Sequence, residues 1–222
     1  SIIDSVISSN TAFRGGGVYV RVDSIFYDND TGNQFEGSPA LDLSLTNCDI
    51  SGNEATASYA QGGGLYVSVY RTYSENDLTG LVSITNTNCT FRDNIAQPQG
   101  GAIYFYSGHN LYDSGSWTAD LNLTNNNCTF AGNSASEGVA WYLSSDEISG
   151  GLVEIDVNFT MTNRNCQISD HDDYQYLFVH NAYDEYSTVN IINDGCTVSG
   201  NGQTDSYGDL LRANDTQTID NT

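Results

Sequence analysis

The amino-acid sequence predicts an all-β chain coiled as a right-handed parallel β-helix of about six rungs. Three observations predict it: a six-fold internal repeat, period-2 apolar alternation within each repeat, and turns rich in glycine, asparagine and serine. Self-similarity at periods of about 20–50 residues is the mark of solenoids and arrays, so the repeat takes precedence over local propensity.

The first element of the repeat is built around cysteine. Cys48-Asp-Ile50-Ser-Gly-Asn53 recurs as Cys89-Thr-Phe91-Arg-Asp-Asn94, Cys128-Thr-Phe130-Ala-Gly-Asn133, Cys166-Gln-Ile168-Ser-Asp-His171 and Cys196-Thr-Val198-Ser-Gly-Asn201. A cysteine-free copy, Ser5-Val-Ile7-Ser-Ser-Asn10, opens the series, and successive copies lie 43, 41, 39, 38 and 30 residues apart. A second element follows each asparagine: Gly15 to Val20, Gly62 to Val67, Gly100 to Phe105 and Gly138 to Leu143, with degenerate forms at Leu177-Phe178-Val179 and Leu210-Leu211. A third precedes each cysteine and alternates: Leu41, Leu43 and Leu45; Val82 and Ile84; Leu121 and Leu123; Phe159 and Met161; Val189 and Ile191.

Period 2 is the strand period, and no segment sustains the 3.6 period of a helix. Three short strands per repeat, each stacked on its counterpart in the next, describe a pectin-lyase-like solenoid. The short hexapeptide period of a left-handed β-helix is absent. Repeat length varies almost wholly between the second and third elements, so residues 23–40, 71–80, 107–120 and 144–151 are expected as loops along one edge. Residues 1–212 are expected as one domain and 213–222 as a polar tail. Rungs spaced about 4.8 Å apart give a rod roughly 25–30 Å long.

Stacking turns equivalent positions into columns. Asn86, Asn125, Asn163 and Asn193, three residues before each cysteine, face inward, with Leu45 in that place one rung earlier. Each amide there can donate to one neighbour and accept from the other. The asparagine five residues after the cysteine suggests a second such column. Cys48, Cys89, Cys128, Cys166 and Cys196 form their own column. An odd number cannot all pair within one chain, and in-register side chains point the same way, so the column reads as stacked buried thiols, with strained disulfides between adjacent rungs as the alternative. Tyr19, Tyr66, Tyr104 and Tyr142 follow inward residues and form an outward stripe, either a platform for sugar rings or a lateral partner, or a stack covered by the edge loops.

Composition narrows the partners. Six arginines and no lysine stand against 28 acidic residues, and a net charge of −22 disfavours nucleic acid and anionic membrane surfaces. No apolar run approaches the roughly 20 residues of a membrane-spanning helix. Five Asn-X-Ser/Thr sequons, at Asn88, Asn122, Asn127, Asn158 and Asn214, allow N-glycans on an extracellular or cell-surface chain. Asp28, Asp30 and Glu36 alternate as in a calcium loop, although the glycine falls one position early for an EF-hand. No other cofactor is indicated. Asp170-His171-Asp172-Asp173 is the one cluster of histidine with carboxylates; His109 and His180 are isolated. His171 occupies the turn-asparagine column, and the sequence offers no lysine base and no compact basic cluster for a uronate. No catalytic residues are therefore assigned, and the chain reads as a non-enzyme.

Phe91-Arg-Asp-Asn94 followed by Gly100-Gly-Ala-Ile103 resembles the paired Phe-x-x-Asn and Gly-Gly-Ala-(Ile/Leu/Val) motifs of polymorphic outer membrane protein repeats. Variants occupy residues 5–143 and fade beyond. The resemblance implies a β-helical module of an extracellular surface protein, adhesins included. The cysteine column, the sequons and the lack of a barrel segment depart from the bacterial pattern and favour a eukaryotic extracellular source.

The chain opens at Ser1, four residues before the first motif, so the first rung is expected to lack its pre-cysteine strand, while Asp215 to Thr222 alternates weakly like the missing piece. These ends suggest a head-to-tail fibre in which the tail of one subunit completes the first rung of the next. A structural component of a glycosylated fibre, coat or appendage is the leading expectation. An adhesin or glycan-binding module is the second and a polysaccharide-active enzyme around His171 the third.

Overall fold

The computed structural model describes residues 1–28, 33–71, 77–109, 116–145, 155–169, 178–181, 188–199, 211–213 and 217–221. Among these residues the strands form four parallel sheets and one antiparallel hairpin. The chain is a parallel β-helix, as its repeat predicts. Consecutive strands of one rung lie in different sheets, and each strand pairs in parallel with its equivalent one repeat away.

Sheet 1 contains the pre-cysteine strands Ile2–Ile3, Ala40–Thr46, Leu78–Thr87, Trp117–Asn126, Ile155–Arg164, Thr188–Asp194 and Gln217–Asn221. Sheet 2 contains six three-residue strands after the cysteine, from Val6–Ser8 to Thr197–Ser199. Sheet 4 contains the tyrosine strands Val18–Asp23, Leu65–Arg71, Ile103–His109 and Trp141–Ser145, then Phe178–Asn181 and Leu211–Ala213. Between sheets 2 and 4 runs sheet 3: Thr11–Ala12, Glu54–Gln61, Ile95–Gln99 and Ser134–Glu137. Three strands per repeat were expected; the fourth arises because an extended connection stacked on its own copy can pair its backbone groups with it.

Register is in phase from rung to rung in sheets 1, 2 and 4, while sheet 3 shifts register after Gln97. Val82 pairs with Leu41 and Leu121, and Phe91 with Ile50 and Phe130. Period-2 side chains therefore superpose, and one face of each strand builds a continuous interior. Val82, Ile84, Leu121, Leu123, Phe159 and Met161 from sheet 1 meet Ile50, Phe91 and Phe130 from sheet 2 and Leu65, Ile103 and Phe105 from sheet 4. Each is at most 1% exposed. The rings of Phe91 and Phe130 stack with centroids 5.1 Å apart. Burial of such side chains is worth about 1.5–3 kcal/mol each before entropy is counted.

The glycine element has a steric cause. Gly62 takes φ +68°, and a Cβ there would lie 2.7 Å from the Leu65 carbonyl oxygen. Gly63 approaches the next rung so closely that a Cβ would lie 2.6 Å from the Gly101 oxygen. The first glycine permits the turn and the second permits the stacking.

The strands reach further into the edge segments than expected. Leu78–Gly80 pairs with Trp117–Ala119, within spans read from sequence as loops. Trp117 is 1% exposed, and a Cβ on Gly80 would lie 2.6 Å from its ring, so a missing side chain makes room for a buried indole. Residues 23–40 contain a hairpin, Ile25–Asp28 against Asn33–Glu36. At the ends, Ile2–Ile3 pairs with Leu45–Thr46, so the first rung does have a short pre-cysteine strand. Gln217–Asn221 is no free tail: its backbone pairs in parallel with Val189–Asn193 of its own chain, Ile219 opposite Ile191.

Candidate functional site

The inward asparagines form a side-chain ladder. Asn86 Nδ2 donates to Asn125 Oδ1, Asn125 Nδ2 to Asn163 Oδ1 and Asn163 Nδ2 to Asn193 Oδ1, each at 2.8 Å. The ladder stops at Leu45, and Asn86 Oδ1 is buried without a donor. A second ladder runs through the Phe-x-x-Asn asparagines. Asn10, Asn53 and Asn94 each donate both Nδ2 and the backbone N–H to the Oδ1 one rung on, the last acceptor being Asn133. Asn94 Nδ2 also reaches back to the Ile50 carbonyl at 2.9 Å, so this residue ties three rungs together.

Sequence reasoning missed a third ladder, immediately before the cysteine. Asn47, Asn88, Asn127 and Asn165 have φ between 51° and 54°. Asn88 Nδ2 donates to Asn47 Oδ1 and Asn127 Nδ2 to Asn88 Oδ1. Asn47 Nδ2 continues it to Asp4 at 2.8 Å. The signal was present: this position holds Asp4, Asn and Gly195, the residue types that tolerate a left-handed backbone.

All five cysteines are unpaired thiols; four are buried and Cys196 is half-buried. Cys89 Sγ donates to the Thr87 and Leu45 carbonyls, and Cys48 Sγ to Thr46 and Ile2. Ser5 fills the column in the first rung and makes the same bond two residues back, to Ile3 O at 2.8 Å. Hydrogen bonding with Cys166 and Cys89, reinforced by burial, pushes the central Cys128 thiol up, and burial pushes Cys196 up. The same hydrogen bonds with Cys128 pull the Cys89 and Cys166 thiols below the ordinary thiol range, but both side chains are 1% exposed, and a reactive thiolate must also be accessible.

The tyrosine stripe is largely closed. Tyr66, Tyr104 and Tyr142 are 1–2% exposed and only Tyr19 is open, at 47%. Neighbouring rings are 5.1–5.3 Å apart and nearly parallel. Gln61 Nε2 donates to the Tyr104 hydroxyl at 3.0 Å and Gln99 Nε2 to the Tyr142 hydroxyl at 2.8 Å, so the end of sheet 3 folds polar side chains against the stack. Three of the four rings are therefore unavailable as a platform. Burial raises Tyr66 and Tyr104 above the ordinary phenol range.

At the Tyr19 end the stripe opens into a cavity of about 350 Å³, lined by Arg14, Tyr19, Arg21, Gln61, Tyr66, Ser68, Tyr70 and Tyr106. Arg14 bridges Gln61 in the backbone, so it occupies the column that Gln61 and Gln99 continue. Its guanidinium carbon stands 5.7 Å from the centre of Tyr66 and 5.6 Å from Phe13. Its Nε is buried without a hydrogen-bond acceptor. Arg21 lies 5.1 Å over Tyr70 and pairs with Asp23 at 2.8 Å, which raises the guanidinium further. No compact basic cluster was legible in the sequence. The fold makes one, because residues seven apart are carried by adjoining elements of the same rung.

Other expected sites are dispersed. In the hairpin, Asp28 pairs with Asn33 and Glu36 with Ile25, which puts the two acidic residues at opposite ends of the ladder; their side chains and Asp30 lie outside the described residues. Asp170 to Asp173, His171, Asn201, Asn214 and the side chains of His109 and His180 lie outside them too. Among the described residues, no three His, Cys, Asp or Glu side chains are grouped to hold a metal ion. Asn88 and Asn127 are exposed and Asn122 and Asn158 half-buried. Asn158 Nδ2 donates to Asp120 at 2.9 Å.

No curated protein and no solved structure matches the chain. The stretch holding Asn88 of the third ladder, the thiol Cys89, the core Phe91, Asn94 of the second ladder and the Gly100–Gly101 turn is similar to a known repeat: residues 88–106 match the model of the Chlamydia polymorphic membrane protein repeat.

Proposed function

We propose that this chain is a non-enzymatic structural module of a surface-displayed or extracellular assembly, a glycosylated fibre, coat or appendage whose copies join end to end. The observation that carries the reading is how the interior is used. Its buried asparagines are engaged in rung-to-rung ladders, of which Asn94 tying three rungs is the clearest case. Such a solenoid resists shear between rungs, which is what a scaffold needs. The matched repeat is named for a membrane protein family, and that supports display at a surface.

Joining end to end draws support from the first rung. Ile3 and Val6 are 57% and 72% exposed on strands that border their sheets, and Phe13, 58% exposed, directly follows a third border strand, Thr11–Ala12. A border strand with apolar residues is a template for another rung, and in this proposal a second copy supplies it. Because Gln217–Asn221 is engaged in its own sheet, the joint stacks rung on rung and exchanges no tail. Sedimentation over a wide concentration range, with electron microscopy of the concentrated sample, tests this. The proposal expects rods that lengthen with concentration and dissociate in Val6→Asp with Phe13→Asp. A monomer at all concentrations contradicts it.

A second reading, an adhesin that binds a glycan, is favoured by the open cavity beside Tyr19.

A further inference from the structure

From the cavity beside Arg14 we infer a binding site for a short saccharide carrying one carboxylate, a specific form of the adhesin reading that rests on it and is open in the single copy. Three features define the ligand chemistry.

The first is charge. Among the described residues Arg14 has no carboxylate partner, although the chain holds 28 acidic residues, and its buried Nε lacks an acceptor. A planar guanidinium with no carboxylate beside it matches a carboxylate ligand, which accepts two parallel N–H bonds. Arg21 borders the same cavity and adds positive potential, partly offset by Asp23.

The second is the wall. Tyr19, Tyr70 and Tyr106 line one cavity with Gln61 and Ser68. Tyr70 stacks on Tyr106 at 6.5 Å over Gly108, where a Cβ would lie 2.5 Å from the Tyr70 ring. The open ring of Tyr19 beside amide and hydroxyl groups suits a sugar, which has apolar C–H faces and a hydroxyl rim.

The third is size and field. About 350 Å³ is near the lower bound of roughly 300–1,000 Å³ for small-molecule sites. That volume suits one or two sugar rings. A net charge of −22 repels a polyanion along the rest of the surface, so the site takes a chain end or a monosaccharide.

Arg14→Gln gives a clean test, because Gln61 and Gln99 already occupy this column and bond the tyrosine one rung on. Titration calorimetry on the whole chain would compare glucuronate, glucose and inorganic phosphate. The inference expects saturable glucuronate binding, at least tenfold weaker binding of glucose and phosphate, and at least a tenfold loss in Arg14→Gln and in Tyr19→Ala with the thermal midpoint unchanged. Glucose binding as tightly as glucuronate removes the role of the carboxylate, and phosphate binding as tightly removes the role of the sugar. Unaltered binding in Arg14→Gln, or no glucuronate binding at all, overturns the site. Because Tyr19 lies on the border strand of the first rung, a stacked copy would cover the cavity; the titration is therefore run at concentrations where sedimentation shows single copies, so that a failure to bind is read apart from end-to-end joining.

Discussion

Asn94 and Asn133 are joined by two hydrogen bonds to one oxygen: the Asn94 backbone N–H and its Nδ2 both donate to Asn133 Oδ1, at 3.1 and 3.0 Å. The bond pair welds the turn after sheet 2 to the same turn one rung on. A buried amide that bonds along the rod costs little when every neighbour bonds too, and much when one is removed.

The three-before-cysteine ladder makes this asymmetry measurable. Asn86 Oδ1 is already without a donor beneath Leu45, so Asn86→Leu moves the orphaned oxygen to Asn125 and leaves their number unchanged. Asn125→Leu instead orphans Asn86 Nδ2 and Asn163 Oδ1. With about 1–3 kcal/mol per orphaned group, urea unfolding should show Asn86→Leu within about 1 kcal/mol of the parent and Asn125→Leu destabilised by about 2–6 kcal/mol.

The turn glycines separate in the same way. Gly62 combines φ +68° with a contact of 2.7 Å, whereas a Cβ at Gly37 meets nothing within 4 Å. Gly62→Ala should lose about 2 kcal/mol or more, and Gly37→Ala should stay within about 0.5 kcal/mol. Equal losses would show that the backbone conformation at Gly62 is not the one described.

The thiol column should label in two steps. Cys48, Cys89, Cys128 and Cys166 are 1–2% exposed, while Cys196 is half-buried. Mass spectrometry after iodoacetamide treatment of the native protein should find label at Cys196 alone, and at all five after guanidinium unfolding. Native labelling of Cys89 at the rate of Cys196 would contradict the stacked column.

Alkali should destabilise the fold. Burial raises Tyr66 and Tyr104 above the unfolded value of about 10. The folded chain therefore holds phenolic protons that the unfolded chain releases. This contribution is complete below pH about 10 and declines above it, by at most about 1.4 kcal/mol per pH unit for each tyrosine. Denaturant midpoints at pH 8, 10 and 11 should be level across the first interval and fall across the second. Tyr104→Phe should flatten part of the fall.

The solenoid was legible because a repeat prints its geometry in sequence. The spacing of Cys89 and Cys128 and the alternation of Val82 and Ile84 already place these residues on one interior surface. Sheet 3 was not legible, since Ile95 to Gln99 carries no clean alternation and becomes a strand through stacking. Trp117 was read as a loop residue because its burial depends on Gly80, a neighbour 37 positions away that matters by lacking a side chain. The stripe at Tyr66 and Tyr104 was visible, but its covering by Gln61 and Gln99 comes from another sheet. Arg14 and Arg21 looked like isolated charges; only closure of the rung brings both to one cavity.

The in-phase stacking of rungs is tested most directly by scalar coupling across the Asn94–Asn133 hydrogen bond, measured by NMR between the Asn94 side-chain amide nitrogen and the Asn133 side-chain carbonyl carbon. The account predicts a resolved coupling in the parent protein, slow exchange of the Asn94 amide protons, and loss of both in Asn133→Ala. A rapidly exchanging Asn94 amide with no coupling to Asn133 in the folded parent would contradict it.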